Sequence, residues 1–278
     1  MPLLPPSAAR VFCDGTFGAP RMAHPEGVAV HPLDGSIWCG TENGDLLRIA
    51  PDGSSYRARG STGGFLLGIA FDRAGNAFGC DLMHKAVFRR DATTGRMERF
   101  AASGILVPNV PVVDEARGCL WVSDSRGEGN LGPGLFRFDL ATGEGGPASA
   151  EADWHFANGL CLDEGGTGLY VVESVPARVR QVPLGADGRP GPATVALPAV
   201  GEVPDGLALA PDGTLYVSCY EPGRIWRRTA DRRGVEVLIE DPKATVMAHP
   251  TNIALKGDRM YAANLGRWHI TEIDLARA

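Results

Sequence analysis

A pattern of short strands recurs six times along the chain, and this repetition constrains the fold more than any other feature. Each repeat starts with one leading residue, continues through an apolar run and a turn, and reaches a second strand that contains an aromatic residue. The leading residues lie 41 to 49 positions apart and are Glu26, Leu67, Asn109, Asn158, Asp205 and Thr251. The aromatics follow them by 10 to 12 positions and are Trp38, Phe78, Trp121, Tyr170, Tyr216 and Tyr261.

Further strand-like segments complete each repeat, such as "DLLRIAPDGS" and "GLFRFDLATG", and Asp-Gly or Thr-Gly pairs separate them as hairpin turns do. About four strands in a repeat of this length are typical of a propeller blade. The sequence therefore predicts an all-β protein, a six-bladed β-propeller with four-stranded antiparallel blades around a central channel. We expect residues 1–278 to form this single domain, and "ARVFCDG" to close the ring by pairing with "WHITEIDLA".

Composition excludes several classes of function. The formal charge of −6 over 278 residues argues against nucleic acid as a partner, since phosphates require a basic surface. No apolar run is long enough for a membrane helix, and the first residues lack the features of a signal peptide, so we expect a cytoplasmic protein without a membrane partner. The six cysteines lack metal-ligand or disulfide spacing, which favours buried, reduced thiols.

The leading residues are expected to meet at one mouth of the channel, because the innermost strands of all blades run in the same direction. They would form a ring of two carboxylates, two carboxamides, one hydroxyl and one leucine, without lysine or arginine. Desolvated carboxylates that lack a positive partner either take up protons or hold a cation. The alternative is that these residues only cap strand ends and hydrogen-bond to neighbouring loops.

An all-oxygen ring with two negative charges is the ligand set of one divalent cation, Ca²⁺ or Mg²⁺, with Mn²⁺ as an alternative. No histidine or cysteine lies in the ring, which disfavours a dedicated zinc site. Other chemistry finds no support, because the sequence contains no G-x-S-x-G elbow, phosphate-binding loop or H-E-x-x-H motif.

Four segments resemble the SMP-30/gluconolactonase/luciferin-regenerating-enzyme family: "PEGVAV" with "GSIWCGTENGDLLRI", "ANGLCLDEGGTGLYVVES", "VPDGLALAPDGTLYVSCYEPGRI", and "HPTNIAL" with "ANLGRWHI". The resemblance extends from about residue 20 to residue 275. It implies a six-bladed propeller that opens lactones with one divalent cation, commonly calcium, with zinc, manganese or iron in some members. By the same resemblance Glu26, Asn158 and Asp205 would bind the metal, and Asn109 would bind substrate or metal.

Two positions depart from the family pattern. Val110 stands where relatives have aspartate, and Val107 stands where sugar-lactonase relatives have an arginine that contacts hydroxyl groups. Fewer polar groups at the mouth leave both a sugar lactone and a less polar lactone or ester open as substrates.

The chemistry expected for a lactone is polarisation of its carbonyl by the cation, followed by attack of water. The resemblance nominates Asp205 as the base, with a metal-bound hydroxide or a carboxylate of the next layer as alternatives. Candidate substrate contacts are Asn109, Asp124, Glu173, Thr251 and His249, where Asp124 and Glu173 could equally anchor loops and His249 could be a solvated loop residue.

Three functions therefore remain open: a metal-dependent lactonase, an organophosphate or other ester hydrolase on the same cation, and a calcium-binding propeller without turnover. The glycine-rich segment 125–134 is expected to form a lip over the mouth or a plain surface loop. No feature of the sequence indicates an oligomeric state.

Overall fold

A ring of six antiparallel sheets makes up the protein. The computed structural model describes residues 1–126, 131–198 and 203–278, and within these residues every sheet has four strands. The only helices in the described part are the short 3₁₀ segments Pro6–Ala8 and Leu275–Arg277. The predicted six-bladed β-propeller is confirmed.

The strands of the described residues, in chain order, are β1 (Ala9–Asp14), β2 (Val28–Val30), β3 (Ile37–Gly40), β4 (Asp45–Ile49), β5 (Tyr56–Ser61), β6 (Leu66–Phe71), β7 (Ala77–Asp81), β8 (Ala86–Arg90), β9 (Met97–Ala101), β10 (Pro108–Asp114), β11 (Cys119–Asp124), β12 (Leu135–Asp139), β13 (Gly145–Pro147), β14 (Ala157–Leu162), β15 (Gly168–Glu173), β16 (Arg178–Pro183), β17 (Thr194–Leu197), β18 (Val203–Leu209), β19 (Leu215–Glu221), β20 (Arg224–Arg228), β21 (Val235–Glu240), β22 (Pro250–Lys256), β23 (Arg259–Asn264) and β24 (His269–Asp274). Blades 1 to 5 each consist of four consecutive strands, starting with β2, β6, β10, β14 and β18. Blade 6 has the order β22-β23-β24-β1. The first strand of each blade contacts the first strands of its neighbours, so these strands line the channel.

The N-terminal strand closes the ring. Strand β1 pairs antiparallel with β24, from Ala9 opposite Ile273 to Asp14 opposite His269. The two ends of the chain therefore share one sheet, as the sequence predicts. This pairing leaves β1 as the outermost strand of blade 6.

The hydrophobic core lies between neighbouring blades. Each of the six predicted aromatics is buried in a different cluster at such a boundary. Trp121 of blade 3, for example, belongs to one cluster with Trp154 and Leu160, which precede or form the inner strand of blade 4. Aromatic side chains bury a large apolar area, which makes them suited to fill the wedge between two twisted sheets.

Other expectations can be compared with the described residues. Five of the six cysteines are buried and Cys161 is half-buried. No helix in the described part is long and apolar enough to cross a membrane. Residues 127–130 of the glycine-rich segment lie outside the described residues, so the expected lip is not described.

Candidate metal centre

A break in strand register marks the mouth of the channel in five blades. Where the inner strand starts, the pairing with the second strand shifts between Leu66 and Ile69, Pro108 and Pro111, Ala157 and Leu160, Pro204 and Leu207, and Pro250 and Ile253. These intervals contain the leading residues of blades 2 to 6. A β-bulge bends the strand and re-aims a side chain, and bulges are common next to active sites.

Glycines that follow the leading residues allow the inner strands to approach closely. A Cβ atom added to Gly27 would lie 2.2 Å from the carbonyl oxygen of Leu67. The same atom on Gly159 would lie 2.3 Å from the carbonyl oxygen of Asp205, and on Gly206 2.5 Å from that of Thr251. Any side chain at these positions would push the next leading residue away. The glycines thus set the spacing of the ring.

Two serines fix the orientation of the ring carboxamides. Ser125 Oγ donates to the carbonyl oxygen of Ala157 at 2.5 Å, and therefore accepts from Asn109 Nδ2 at 2.9 Å. Ser174 Oγ likewise donates to the carbonyl oxygen of Pro204 at 2.7 Å and accepts from Asn158 Nδ2 at 3.1 Å. Because the amide nitrogens face the serines, the Oδ1 atoms face away from them. Both Oδ1 atoms are buried and have no hydrogen-bond partner.

The two carboxylates of the ring are buried, with exposed fractions of 4% for Glu26 and 8% for Asp205. Asn252 Nδ2 donates to Glu26 Oε2 at 3.0 Å, whereas Asp205 Oδ1 has no partner. Among the described residues, neither carboxylate forms an ion pair with lysine or arginine. Their negative charges are therefore not compensated by the protein.

Burial without compensation raises the pKa of both groups. Desolvation raises the pKa of Asp205 to about 7, although the neighbouring Asn158 amide offsets part of the rise. The pKa of Glu26 lies well above its usual range, first because of desolvation and then because of the charge of Asp205, with the hydrogen bond from Asn252 opposing both. The pair has the electrostatics of a site that favours protons or a cation.

The residues present fit a hard divalent cation. Three buried oxygens, on Asn109, Asn158 and Asp205, lack partners, and such atoms normally have one in a folded protein. Together with Glu26 they provide two charged and two neutral oxygen donors, the set that Ca²⁺ and Mg²⁺ prefer. No group of three or more His, Cys, Asp or Glu suited to a metal occurs in the described part of the chain, so the carboxamides are essential to such a site.

The sixth leading residue occupies a different role from that expected. Thr251 is buried, and its hydroxyl donates to the backbone carbonyl of Glu26 at 2.7 Å. Its neighbour Asn252, at the position where four other blades have glycine, reaches the Glu26 carboxylate. Sequence reasoning missed Asn252, although its departure from the repeated glycine was a visible signal. Substrate binding by Thr251 stays a prediction.

The carboxylates of the next layer hold loops. Asp124 accepts from the backbone N–H of Val107 at 2.8 Å and from Arg126 Nε at 3.1 Å. Glu173 accepts from the backbone N–H of His155 at 2.9 Å and also pairs with an arginine, Arg178. These contacts are those of loop anchors. A direct contact of either residue with substrate stays a prediction.

His249 lies just before the inner strand of blade 6 and is half-exposed. Its Nδ1 atom is 3.0 Å from the carbonyl oxygen of Tyr220, and the two rings are 4.5 Å apart. Since a carbonyl only accepts, Nδ1 is the donor in this contact, which leaves Nε2 as an acceptor whenever the ring is neutral. This geometry is compatible with the predicted contact to substrate, which stays a prediction.

Comparison with solved structures finds the same fold in proteins of low sequence identity. A gluconolactonase from Xanthomonas campestris is 18% identical over 90% of this chain and 85% of its own, with a TM-score of 0.72. A calcium-binding protein, regucalcin, from Agrobacterium tumefaciens is 20% identical over 90% of this chain and 89% of its own, with a TM-score of 0.71. A luciferin-regenerating enzyme is 16% identical over 90% of this chain and 91% of its own, with a TM-score of 0.70.

Sequence comparison, and not structural similarity, shows the family to which this chain belongs. No curated protein sequence matches this chain. The family described as SMP-30/Gluconolactonase/LRE-like region, however, matches residues 61–263, which is more than two-thirds of the chain. The predicted resemblance is thus confirmed: the chain belongs to the SMP-30/gluconolactonase/LRE-like family.

Proposed function

We propose that this protein is a hydrolase that opens lactones with the help of one divalent cation, most simply Ca²⁺. The observation that carries the proposal is the set of buried, unpartnered oxygens on Asn109, Asn158 and Asp205 beside the uncompensated carboxylate of Glu26. Membership of the family and the fold shared with a gluconolactonase support the same activity.

Glu26 and Asp205 would supply the negative charge that holds the cation, and the two carboxamides would complete the set of protein ligands. The cation, when bound, supplies Lewis-acid polarisation of a substrate carbonyl. Ser125 and Ser174 keep the amide oxygens turned away from the blades, and Asn252 holds the Glu26 carboxylate in place. These residues define the ligand positions before the cation arrives, which limits reorganisation on binding.

Asp205 is the candidate for the group that takes the proton of the attacking water. Its Oδ1 atom has no hydrogen-bond partner, so a lone pair is available there. A pKa of about 7 in the cation-free protein is suited to proton transfer near neutrality, but a bound cation favours the ionised carboxylate. His249 Nε2 is a second acceptor at the same mouth.

A calcium-binding propeller without turnover is the second candidate function. The same four ligands would serve it, and the fold is shared with the calcium-binding protein regucalcin. The two functions differ in whether a substrate is consumed.

Proton release from lactones tests the proposal. Protein stripped with a chelator should be inactive, and refilling with Ca²⁺, Mn²⁺, Mg²⁺, Zn²⁺ or Fe²⁺ singly should restore hydrolysis of sugar-derived or aliphatic lactones. Asp205→Asn should abolish the restored activity while the circular dichroism spectrum stays that of a β-propeller. Tight cation binding without hydrolysis of any lactone, simple ester or phosphotriester would instead support the calcium-binding function.

A further inference from the structure

A second ring of residues surrounds the leading residues at the mouth of the channel. It consists of the residue two positions before each leading residue, in blade order His24, Phe65, Val107, Phe156, Val203 and His249. We call these residues the outer ring. Each of these residues lies at or just before the start of an inner strand, so the outer ring lies at the same mouth of the channel as the candidate metal centre.

Backbone hydrogen bonds place the outer ring at the same level in different blades. In four blades the carbonyl oxygen of the outer-ring residue accepts from the residue that follows the second strand. The bonds are Leu82 N to Phe65 O at 2.9 Å, Ser125 N to Val107 O at 2.9 Å, Ser174 N to Phe156 O at 3.2 Å and Leu265 N to His249 O at 3.2 Å. In blade 5 the register of the sheet pairs Val203 with Glu221, the last residue of the second strand, β19. Phe65, Val107, Phe156 and His249 are therefore structurally equivalent, whereas in blade 1 the corresponding bond runs from Glu42 N to the carbonyl oxygen of Ala23, the residue before His24.

The outer ring is divided by chemistry. Blades 2 to 5 contribute only apolar side chains, whereas the two histidines lie side by side on blades 6 and 1. Val203 is 40% exposed, and Phe65, Val107 and Phe156 are half-buried, so all four reach the surface of the mouth. We call these four residues the apolar wall.

Phe156 is held in a conformation that bulky residues rarely adopt, with φ at +50°. Its carbonyl bond to Ser174 keeps the backbone in place, and strain of this kind is concentrated at functional sites. The sequence could have relieved it with glycine or asparagine. A phenylalanine at this position indicates that an apolar side chain at the mouth is useful.

Exposed apolar residues continue the wall outwards. Met83, Leu106, Leu131 and Val175 lie in loops at this mouth and are all exposed. At the opposite end of the channel, the loops between strands of the described residues expose Leu33, and Val235 at the start of β21 is also exposed there, as are Met1 and Leu3 in the segment before β1. The loops between strands therefore expose more apolar side chains at the mouth, as expected of a binding surface.

Two arginines beside this region are already paired with carboxylates. The arginines of the adjoining loops, Arg126 and Arg178, are engaged by the buried carboxylates Asp124 and Glu173. A substrate with many hydroxyl groups would lose hydrogen bonds to water on contact with the wall and gain few in return. An alkyl group would be removed from water at no such cost.

We propose that the substrate is a lactone whose ring carries an apolar chain, with the ester group over the candidate metal centre and the chain against the apolar wall. This inference rests on the proposed lactonase function for the reaction. Binding of an alkyl chain to the apolar wall can, however, be tested without turnover.

The experiment compares γ-lactones that carry methyl, propyl or hexyl substituents with a sugar-derived γ-lactone, on the cation-refilled full-length protein. We expect kcat/KM to rise about two- to fourfold for each methylene that reaches the wall, since a fully buried methylene is worth about fourfold. The sugar lactone should be the poorest substrate. Equal kcat/KM for the three alkyl lactones, or a preference for the sugar lactone, would overturn the inference.

Substitutions in the apolar wall test whether the wall causes the preference for longer alkyl chains. Phe156→Asn removes the apolar surface but keeps a residue that tolerates positive φ, and Val107→Thr is nearly isosteric. Either should lower kcat/KM for the hexyl lactone by roughly three- to tenfold and for the methyl lactone by less. Val195→Thr, on the exposed outer strand β17, is the matched control and should change neither. Equal losses for both lactones would count against the wall.

Binding of the corresponding γ-lactams separates this inference from the proposed function, because a lactam has the same ring and chain but resists hydrolysis. Calorimetry should show affinity that increases with chain length and that Phe156→Asn reduces. If no lactone is hydrolysed while this trend persists, the lactonase function fails and the apolar site stands. If lactones are hydrolysed but lactam affinity does not depend on the chain, only the apolar site fails.

Discussion

Cation binding should release protons, because the two carboxylates of the candidate metal centre are partly protonated without a cation. With a pKa of about 7, Asp205 is mostly protonated at pH 6. The pKa of Glu26 is also raised, by desolvation and by the charge of Asp205. Since a divalent cation requires ionised ligands, we expect between one and two protons to leave per cation at about pH 6.

The same shift determines the sign of the pH dependence of affinity. Below about pH 7, each carboxylate that must lose a proton weakens cation binding by about tenfold per pH unit, so two of them weaken it by up to about a hundredfold. Calorimetric titrations of Ca²⁺ in buffers of different ionisation enthalpy measure the number of protons directly. Asp205→Asn is the control variant and should release no more than one proton, from Glu26.

Stability of the cation-free protein follows from the same linkage. The pKa of Asp205 is higher in the folded protein than in the unfolded chain, so the folded state binds more protons between about pH 4 and pH 7. The free energy of unfolding should therefore fall as the pH rises through this window, by on the order of 4 kcal/mol for a shift from the ordinary value of 3.8 to about 7. Saturating Ca²⁺ should abolish the fall. Cation binding at pH 6 without proton release would refute the assignment of these carboxylates as a buried, uncompensated pair.

Three further substitutions test the structure around the site. Gly159→Ala would place a Cβ atom 2.3 Å from the backbone oxygen of Asp205. It should lower Ca²⁺ affinity by roughly tenfold or more, because a ligand of the cation is displaced. Gly146→Ala, with no atom within 4 Å of the added Cβ, is the control in the same calorimetric titration. Ser174→Ala frees the Asn158 amide to turn and should weaken Ca²⁺ binding by roughly ten- to a hundredfold, and unchanged affinity would show that the serine does not orient the ligand. Trp121→Ala, at a boundary between blades, should reduce the free energy of unfolding by about 3–5 kcal/mol in urea titrations, whereas a loss below about 1 kcal/mol would contradict a core located between blades.

The fold could be predicted from the sequence because each blade repeats the same packing problem. A buried aromatic such as Trp121 must recur once per blade to fill the gap to the next sheet, and this periodicity is visible without a structure. The pairing of β1 with β24 was also accessible, since an incomplete last repeat requires a strand from elsewhere. Strand periodicity and turn residues indicate the same architecture in every repeat of the sequence.

The arrangement within the site was only partly accessible. Equivalent positions in the repeats predict that Glu26, Asn109, Asn158 and Asp205 lie in one ring. Hydrogen bonds between blades, however, cannot be deduced from a repeat. Asn252 acts on Glu26 of the next blade in the ring, far away in sequence. The orientation of the carboxamides likewise depends on serine hydroxyls bound to the adjacent blade, which three-dimensional packing alone reveals.

The central claim is that the oxygens of Glu26, Asn109, Asn158 and Asp205 bind one divalent cation, and anomalous diffraction from crystals soaked with Mn²⁺ tests it most directly. The account predicts one strong anomalous peak at the mouth of the channel, about 2.1–2.6 Å from an oxygen of each of the four side chains. It also predicts that the peak is much weaker in Asp205→Asn crystals soaked in the same way. A peak bound by other residues, or no peak at a Mn²⁺ concentration that saturates the protein in solution, would contradict the account.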